Sequence, residues 1–279
     1  MGNKVQGTLL IVGGAEDKKG KCEILSKFVE LSGGKNSIIL VITTATEDSA
    51  RAGQEYARIF KGLKAGQIEV LDLDSRQKAN QPYIEKLLEK STGIFFTGGD
   101  QLRITAMLGG TIANQGLRQA YLQGTVIAGT SAGASVMTNT MIAEGDSEEA
   151  PKLNTIKLAP GLGLLEDVVV DQHFAQRGRI GRLLSAIAYN PYILGMGIDE
   201  DTAVVVYPDA TLEVIGSQTV TFIDGRQITY SNVSELSPDQ ALAIEKVIIH
   251  VLPKGYRFDL TIRKPSQGET RKGDTNENR

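Results

Sequence analysis

The sequence predicts an α/β fold: a three-layer sandwich with a mostly parallel central sheet and a strand-rich, antiparallel C-terminal part. Three observations predict it. Short β-rich apolar runs alternate with amphipathic stretches over residues 8–128. Such alternation implies parallel strands joined by right-handed crossovers, with helices covering the sheet. Beyond Thr202 the helical periodicity gives way to strands separated by turn residues.

The apolar runs at 8–12, 37–42, 68–71, 93–96 and 125–128 read as buried strands. Between them, 22–31, 49–63, 83–90, 101–108 and 116–122 carry apolar residues at i, i+3 and i+4 and read as helices. The run 168–170 and the strands after Gly195 extend the same pattern. Strands at 203–206, 211–215, 219–223 and 247–252, linked by turns such as Pro208-Asp209 and Asp224-Gly225, read as antiparallel hairpins closing the sheet's edge. Residues 1–263 are expected to form a single α/β domain. Residues 264–279 carry Gly, Thr, Asn and charge without an aromatic residue and read as a disordered tail.

The 279 residues are 41% hydrophobic and 23% charged, ordinary globular usage. Thirty Lys and Arg against 33 Asp and Glu provide no large basic field, so nucleic acid is not an expected partner. No apolar run reaches the length of a membrane span and no signal-type segment opens the chain, so a cytoplasmic protein without membrane contact is expected. The start Met1-Gly2-Asn3 resembles an acylation signal, but Gln6 stands where Ser or Thr is required. The single Cys22 reads as a small buried hydrophobe, and neither a metal nor a cofactor is expected.

Chemistry is expected at the carboxyl ends of the parallel strands, where open α/β sheets bind ligands. The run 125–128 leads into Gly129-Thr130-Ser131-Ala132-Gly133 and then a helical stretch, the setting of a nucleophile elbow. A serine that merely caps the helix fits the same five residues. A serine nucleophile needs a base poised near neutral pH, and only His173 and His250 are available. His173 follows a strand and precedes a helix, whereas His250 falls in the alternation of an edge strand. A carboxylate should orient the imidazole; Asp199, Glu200 and Asp201 are candidates that spacing does not separate. In Phe95-Phe96-Thr97-Gly98-Gly99-Asp100-Gln101, Gly99 can offer an N–H that pairs with that of Ala132 as an oxyanion hole, although a plain turn also accounts for it. Gly13-Gly14 lacks dinucleotide-fingerprint spacing and reads as a strand-to-loop turn.

Taken in order, Gly13-Gly14-Ala15-Glu16-Asp17, Phe96 to Gln101, Gly129 to Ala134 and Asp171-Gln172-His173-Phe174 resemble the cyanophycinases. These belong with peptidase E in a serine peptidase family whose fold is similar to that of class I glutamine amidotransferases. The amidotransferases carry cysteine at the elbow, where this chain has Ser131. The resemblance implies a triad of Ser131, His173 and Glu200, a homodimer, and cyanophycin as substrate. Cyanophycin is a poly-aspartate with an arginine on each side-chain carboxylate, released as β-Asp-Arg dipeptides. Asp171 would then receive a guanidinium, and Arg177, Arg179 and Arg182 would receive carboxylates, with Gln101 and Gln172 as neutral contacts. Without the resemblance, the arginines read as the solvated face of a helix.

Other readings stay open. A peptidase E-type Asp-X dipeptidase shares the same residues. An α/β-hydrolase esterase would take Ser131, Asp199 or Glu200, and His250 in that order. A non-catalytic peptide-binding module would use the same crevice.

Overall fold

The computed structural model describes residues 5–145, 150–152, 155–237 and 240–267. Five strands, Leu9–Val12 (β1), Ile38–Ile42 (β2), Gln67–Leu71 (β3), Gly93–Phe96 (β4) and Val126–Thr130 (β5), lie parallel in the order β1-β5-β4-β2-β3. They coincide with the apolar runs. β1, β4 and β5 are buried at every position, which requires cover on both faces. Thr202–Val206 pairs antiparallel with β1, and Thr211–Gly216, Tyr256–Asp259 and Lys264–Gln267 follow outward, giving a nine-stranded mixed sheet.

Period-two alternation splits the side chains of this sheet between two cores. Leu10, Val12, Val41 and Phe95 face helices Glu23–Leu31 and Ser49–Gly62. There Phe28, Tyr56, Phe60 and Phe95 form an aromatic cluster with centroids 4.7 to 6.0 Å apart. Leu9, Ile11, Ile42, Ile94 and Phe96 face the opposite way, toward helices Pro82–Lys90, Gln101–Leu108 and Ile112–Leu122.

A second sheet departs from expectation. Val168–Gln172 and Leu194–Ile198, parallel to each other, do not extend the main sheet; they join Thr219–Asp224 and Ile248–Pro253 in a separate four-stranded one. Val168, Val170, Met196, Ile198 and Phe222 pack into the main core, whereas Val169 and Ile223 meet helix Ile180–Tyr189 through Leu183 and Ile187. Both faces of these strands are apolar, so the sequence pattern is the same whichever sheet they join. The consequence is functional: Ser131 ends a strand of one sheet, while His173 and Glu200 follow strands of the other.

The hairpin of Thr140–Gly145 with Ile156–Pro160 was not expected, nor was the short pair Tyr230–Ser231 with Ile244–Glu245. Within the expected tail, Lys264–Gln267 instead pairs with Tyr256–Asp259 at the sheet's edge, a place that tolerates Pro265. The rest of that tail lies outside the described residues. Among the described residues no helix is long and apolar enough to cross a membrane.

Candidate active site

Ser131 sits at the junction of β5 with helix Ala132–Ser135, at φ 53° and ψ −112°. That conformation is costly for a residue with a Cβ, and close backbone packing enforces it. A Cβ on Gly129 would lie 2.4 Å from the Gly133 carbonyl oxygen, and one on Gly133 would lie 2.6 Å from that of Phe96. Both flanking glycines are therefore required. The Ser131 N–H donates to the Val12 carbonyl at 3.1 Å, tying the turn to β1.

His173, also at positive φ, follows Val168–Gln172 directly. Its Nε2 lies 3.1 Å from Ser131 Oγ, and its Nδ1 lies 2.6 Å from Glu200 Oε1. A carboxylate oxygen accepts, so Nδ1 carries the proton and Nε2 is free to accept the serine proton. Burial holds the His173 pKa below its usual value of 6.5, with Arg177 and Arg179 acting the same way and the Glu200 hydrogen bond opposing them. The imidazole is then neutral near pH 7, as a general base requires. Gln172 Oε1 lies 3.3 Å from Ser131 Oγ and competes for the single hydroxyl proton.

The acidic triplet separates cleanly in space. Asp199 is buried and accepts from the Ala175 N–H and from both the N–H and the hydroxyl of Thr219. Asp201 Oδ1 accepts from the Asp17 N–H at 2.8 Å. Only Glu200 reaches the imidazole.

Gly99 has φ 147°, and a Cβ there would lie 2.2 Å from the Ala45 carbonyl oxygen. Its neighbour Gly98 packs against Ser131, with a built Cβ 3.4 Å from the serine Cβ. The N–H of Ala132, first in its helix, has no partner within that helix. His250 is remote from this chemistry in the fold: it lies on Ile248–Pro253, opposite Phe222, with its ring 5.8 Å from that of Phe258. Cys22 is buried, and its thiol pKa is raised by burial and then by Asp17, which disfavours a thiolate.

The expected substrate contacts meet a different arrangement. Asp171, Arg179 and Arg182 are buried and already pair with one another. Arg182 grips Asp171 with Nε at 2.7 Å and Nη2 at 2.5 Å, and Arg179 Nη1 donates to Asp171 at 3.3 Å and to the Gln172 carbonyl at 2.6 Å. Arg179 Nε is buried and has no hydrogen-bond partner among the described residues. Arg177 is exposed on the turn after His173, and Gln101 Nε2 donates to the Ala143 carbonyl at 2.6 Å. Sequence reasoning read Gly13-Gly14 as a plain strand-to-loop turn and counted Gly13 to Asp17 only as a motif of the resemblance, without a role in the site; in the fold Gly14 packs against the His173 ring. The available signal was topological, because the first strand of such a sheet lies beside the strand bearing the nucleophile. Among the described residues no group of three or more His, Cys, Asp or Glu is placed to hold a metal ion.

A serine hydroxyl, an imidazole and a carboxylate linked in series at the carboxyl end of an α/β sheet make the arrangement of a serine hydrolase. The chain matches Peptidase family S51 over residues 9–214, and it belongs to that family of peptidases. It is 40% identical to the cyanophycinase of Geminocystis herdmanii over 95% of this chain and 97% of that protein. It is 41% identical to the cyanophycinase of a Nostoc species, over 90% and 85% respectively. Among solved structures, a peptidase from an acI-B1 actinobacterium superposes with a TM-score of 0.67 at 21% identity, covering 92% of this chain and 98% of that one. That likeness supports the fold alone.

Proposed function

We propose that this chain is a serine-type exopeptidase that hydrolyses cyanophycin to β-Asp-Arg dipeptides. The observation that carries the reading is the Ser131–His173–Glu200 relay, found in a chain about 40% identical to cyanophycinases over nearly its whole length. Ser131 Oγ attacks a backbone carbonyl of the poly-aspartate while His173 Nε2 takes its proton. The oxyanion rests on the N–H groups of Gly99 and Ala132, each worth about 3 kcal/mol of barrier. Collapse breaks the C–N bond, His173 returns the proton to the leaving amine, and water then releases the acyl group by the same path. Glu200 holds the ring and stabilises the imidazolium.

Around this relay, Arg177, Gln101, Gln172 and the free Nε of Arg179 are the polar groups we assign to the substrate's carboxylates and amides. Asp171 acts through Arg179 and Arg182. The reading takes the expected 1–263 unit as one hydrolytic domain and extends it to Gln267, because Lys264–Gln267 forms the edge strand of the main sheet. It also takes the protein as a cytoplasmic homodimer. The exposed Ile249 and Val251 on the edge strand Ile248–Pro253 support the dimer, which light scattering after gel filtration tests.

The deciding experiment compares wild type and Ser131→Ala on cyanophycin and on Asp-X dipeptides in parallel. Dipeptide release from the polymer that disappears with Ser131 supports the reading. Undiminished release by Ser131→Ala overturns it, and cleavage of Asp-X dipeptides alone replaces it with a peptidase E-type activity.

A further inference from the structure

Glu16 is 4% exposed, yet among the described residues no Lys or Arg pairs with it. Its carboxylate is instead spent on two hydroxyls: Oε2 accepts from Thr130 Oγ1 at 2.6 Å, and Oε1 accepts from the Tyr56 hydroxyl. Burial, reinforced by Glu16, raises the Tyr56 pKa far above its usual value, so the phenol keeps its proton and donates. A buried carboxylate without a direct ion pair is an expensive way to hold two hydroxyls. Its position explains the expense. Thr130 immediately precedes Ser131, whose strained backbone persists only where its surroundings over-determine it.

The loop that carries Glu16 reaches the three segments that bear Ser131, His173 and Glu200. Gly13 accepts from the His173 N–H at 2.8 Å, and Gly14 accepts from the Asp201 N–H at 2.9 Å, one residue beyond Glu200. Asp17 donates its N–H to Asp201 Oδ1, and its own carboxylate, held down to about 2 by N–H groups of Gly20, Lys19 and Cys22, closes the loop. The loop thus anchors the His173 and Glu200 segments through its backbone, and the serine segment through the Glu16 side chain.

We propose that Glu16 is a positioning residue for the nucleophile: through Thr130 it fixes the strained turn that aims Ser131 Oγ at His173 Nε2. The inference rests on Ser131 being the nucleophile, and it is independent of which peptide is cleaved. Glu16 also lines a cavity of about 220 Å³ beside Ser131, together with Lys18, Glu55 and Thr97, so a substrate contact is the rival role.

The test uses the full chain and the variants Glu16→Ala, Glu16→Gln and Thr130→Val. Two rates are measured: phosphonylation of Ser131 by a fluorophosphonate, and turnover of cyanophycin with kcat and KM separated. Glu16→Ala and Thr130→Val are expected to slow both phosphonylation and kcat at least tenfold with KM within twofold. Glu16→Gln, whose amide still offers an acceptor, is expected to recover to within threefold of wild type. Phosphonylation within twofold of wild type in both variants, or a change confined to KM, overturns the proposal. Should Glu16→Ala fail to fold, Thr130→Val decides alone, since it removes one hydroxyl and keeps the branched shape. A wild type that labels at Ser131 but leaves cyanophycin intact sinks the substrate reading, while the labelling rates still judge Glu16.

Discussion

Gly14 abuts the His173 imidazole: a Cβ built on it would lie 2.4 Å from His173 Cε1 and 2.5 Å from Nε2. The same residue has φ 100°, which L side chains rarely adopt. Gly14→Ala therefore has to displace either the loop or the ring. A misplacement of about 1 Å costs on the order of 100-fold in rate. We expect kcat/KM on cyanophycin to fall by roughly that factor, and Ser131 phosphonylation to slow in parallel.

Burial of His173, opposed by its hydrogen bond to Glu200, sets the pH response. The active form has a neutral imidazole, so kcat/KM falls as pH drops through the His173 pKa, which burial holds below 6.5. The acid limb should lie below pH 6.5 and the rate should be level at neutral pH. Glu200→Gln removes the contribution that raises this pKa, so the limb moves to still lower pH while the plateau falls by about 10² to 10⁴. A limb that moves upward in this variant contradicts the pairing.

The neighbouring acid makes a contrasting prediction. Asp199 is buried and serves three part-buried donors of the loop and strand that frame the site, so Asp199→Ala removes three hydrogen bonds at once. Each is worth about 0.5 to 1.5 kcal/mol, and denaturant midpoints should register that loss. His250→Ala, on a half-buried edge strand, should keep full activity, whereas His173→Ala should lose it. The reverse result revives an esterase order of residues.

Local signals made Ser131 legible: an apolar strand, two glycines and a helix must occur together for the turn to form, and they are contiguous in sequence. Scarcity made His173 legible. The choice among Asp199, Glu200 and Asp201 was not, because it depends on which backbone amides lie nearby: Thr219 and Ala175 claim Asp199, and Asp17 claims Asp201. The second sheet was hidden for a related reason. Val168 to Val170 is apolar on both faces whether it meets another strand row or a helix, and only the tertiary arrangement distinguishes the two.

The arginines beyond His173 divide by burial into two kinds, and they should respond differently to mutation. Arg182 is buried and holds both oxygens of Asp171, so Arg182→Ala leaves a carboxylate in the interior with only Arg179 to balance it. Breaking such a pair costs about 3 to 5 kcal/mol, and its main signature should be a lowered unfolding midpoint. Arg177 is exposed, so Arg177→Ala should change stability by no more than about 0.5 kcal/mol. Its charge lies close enough to depress the His173 pKa, so the same variant should move the acid limb upward. If Arg177 also receives a substrate carboxylate, KM rises with little change in kcat. An Arg177→Ala enzyme with unaltered KM and an unmoved acid limb would remove this arginine from the site.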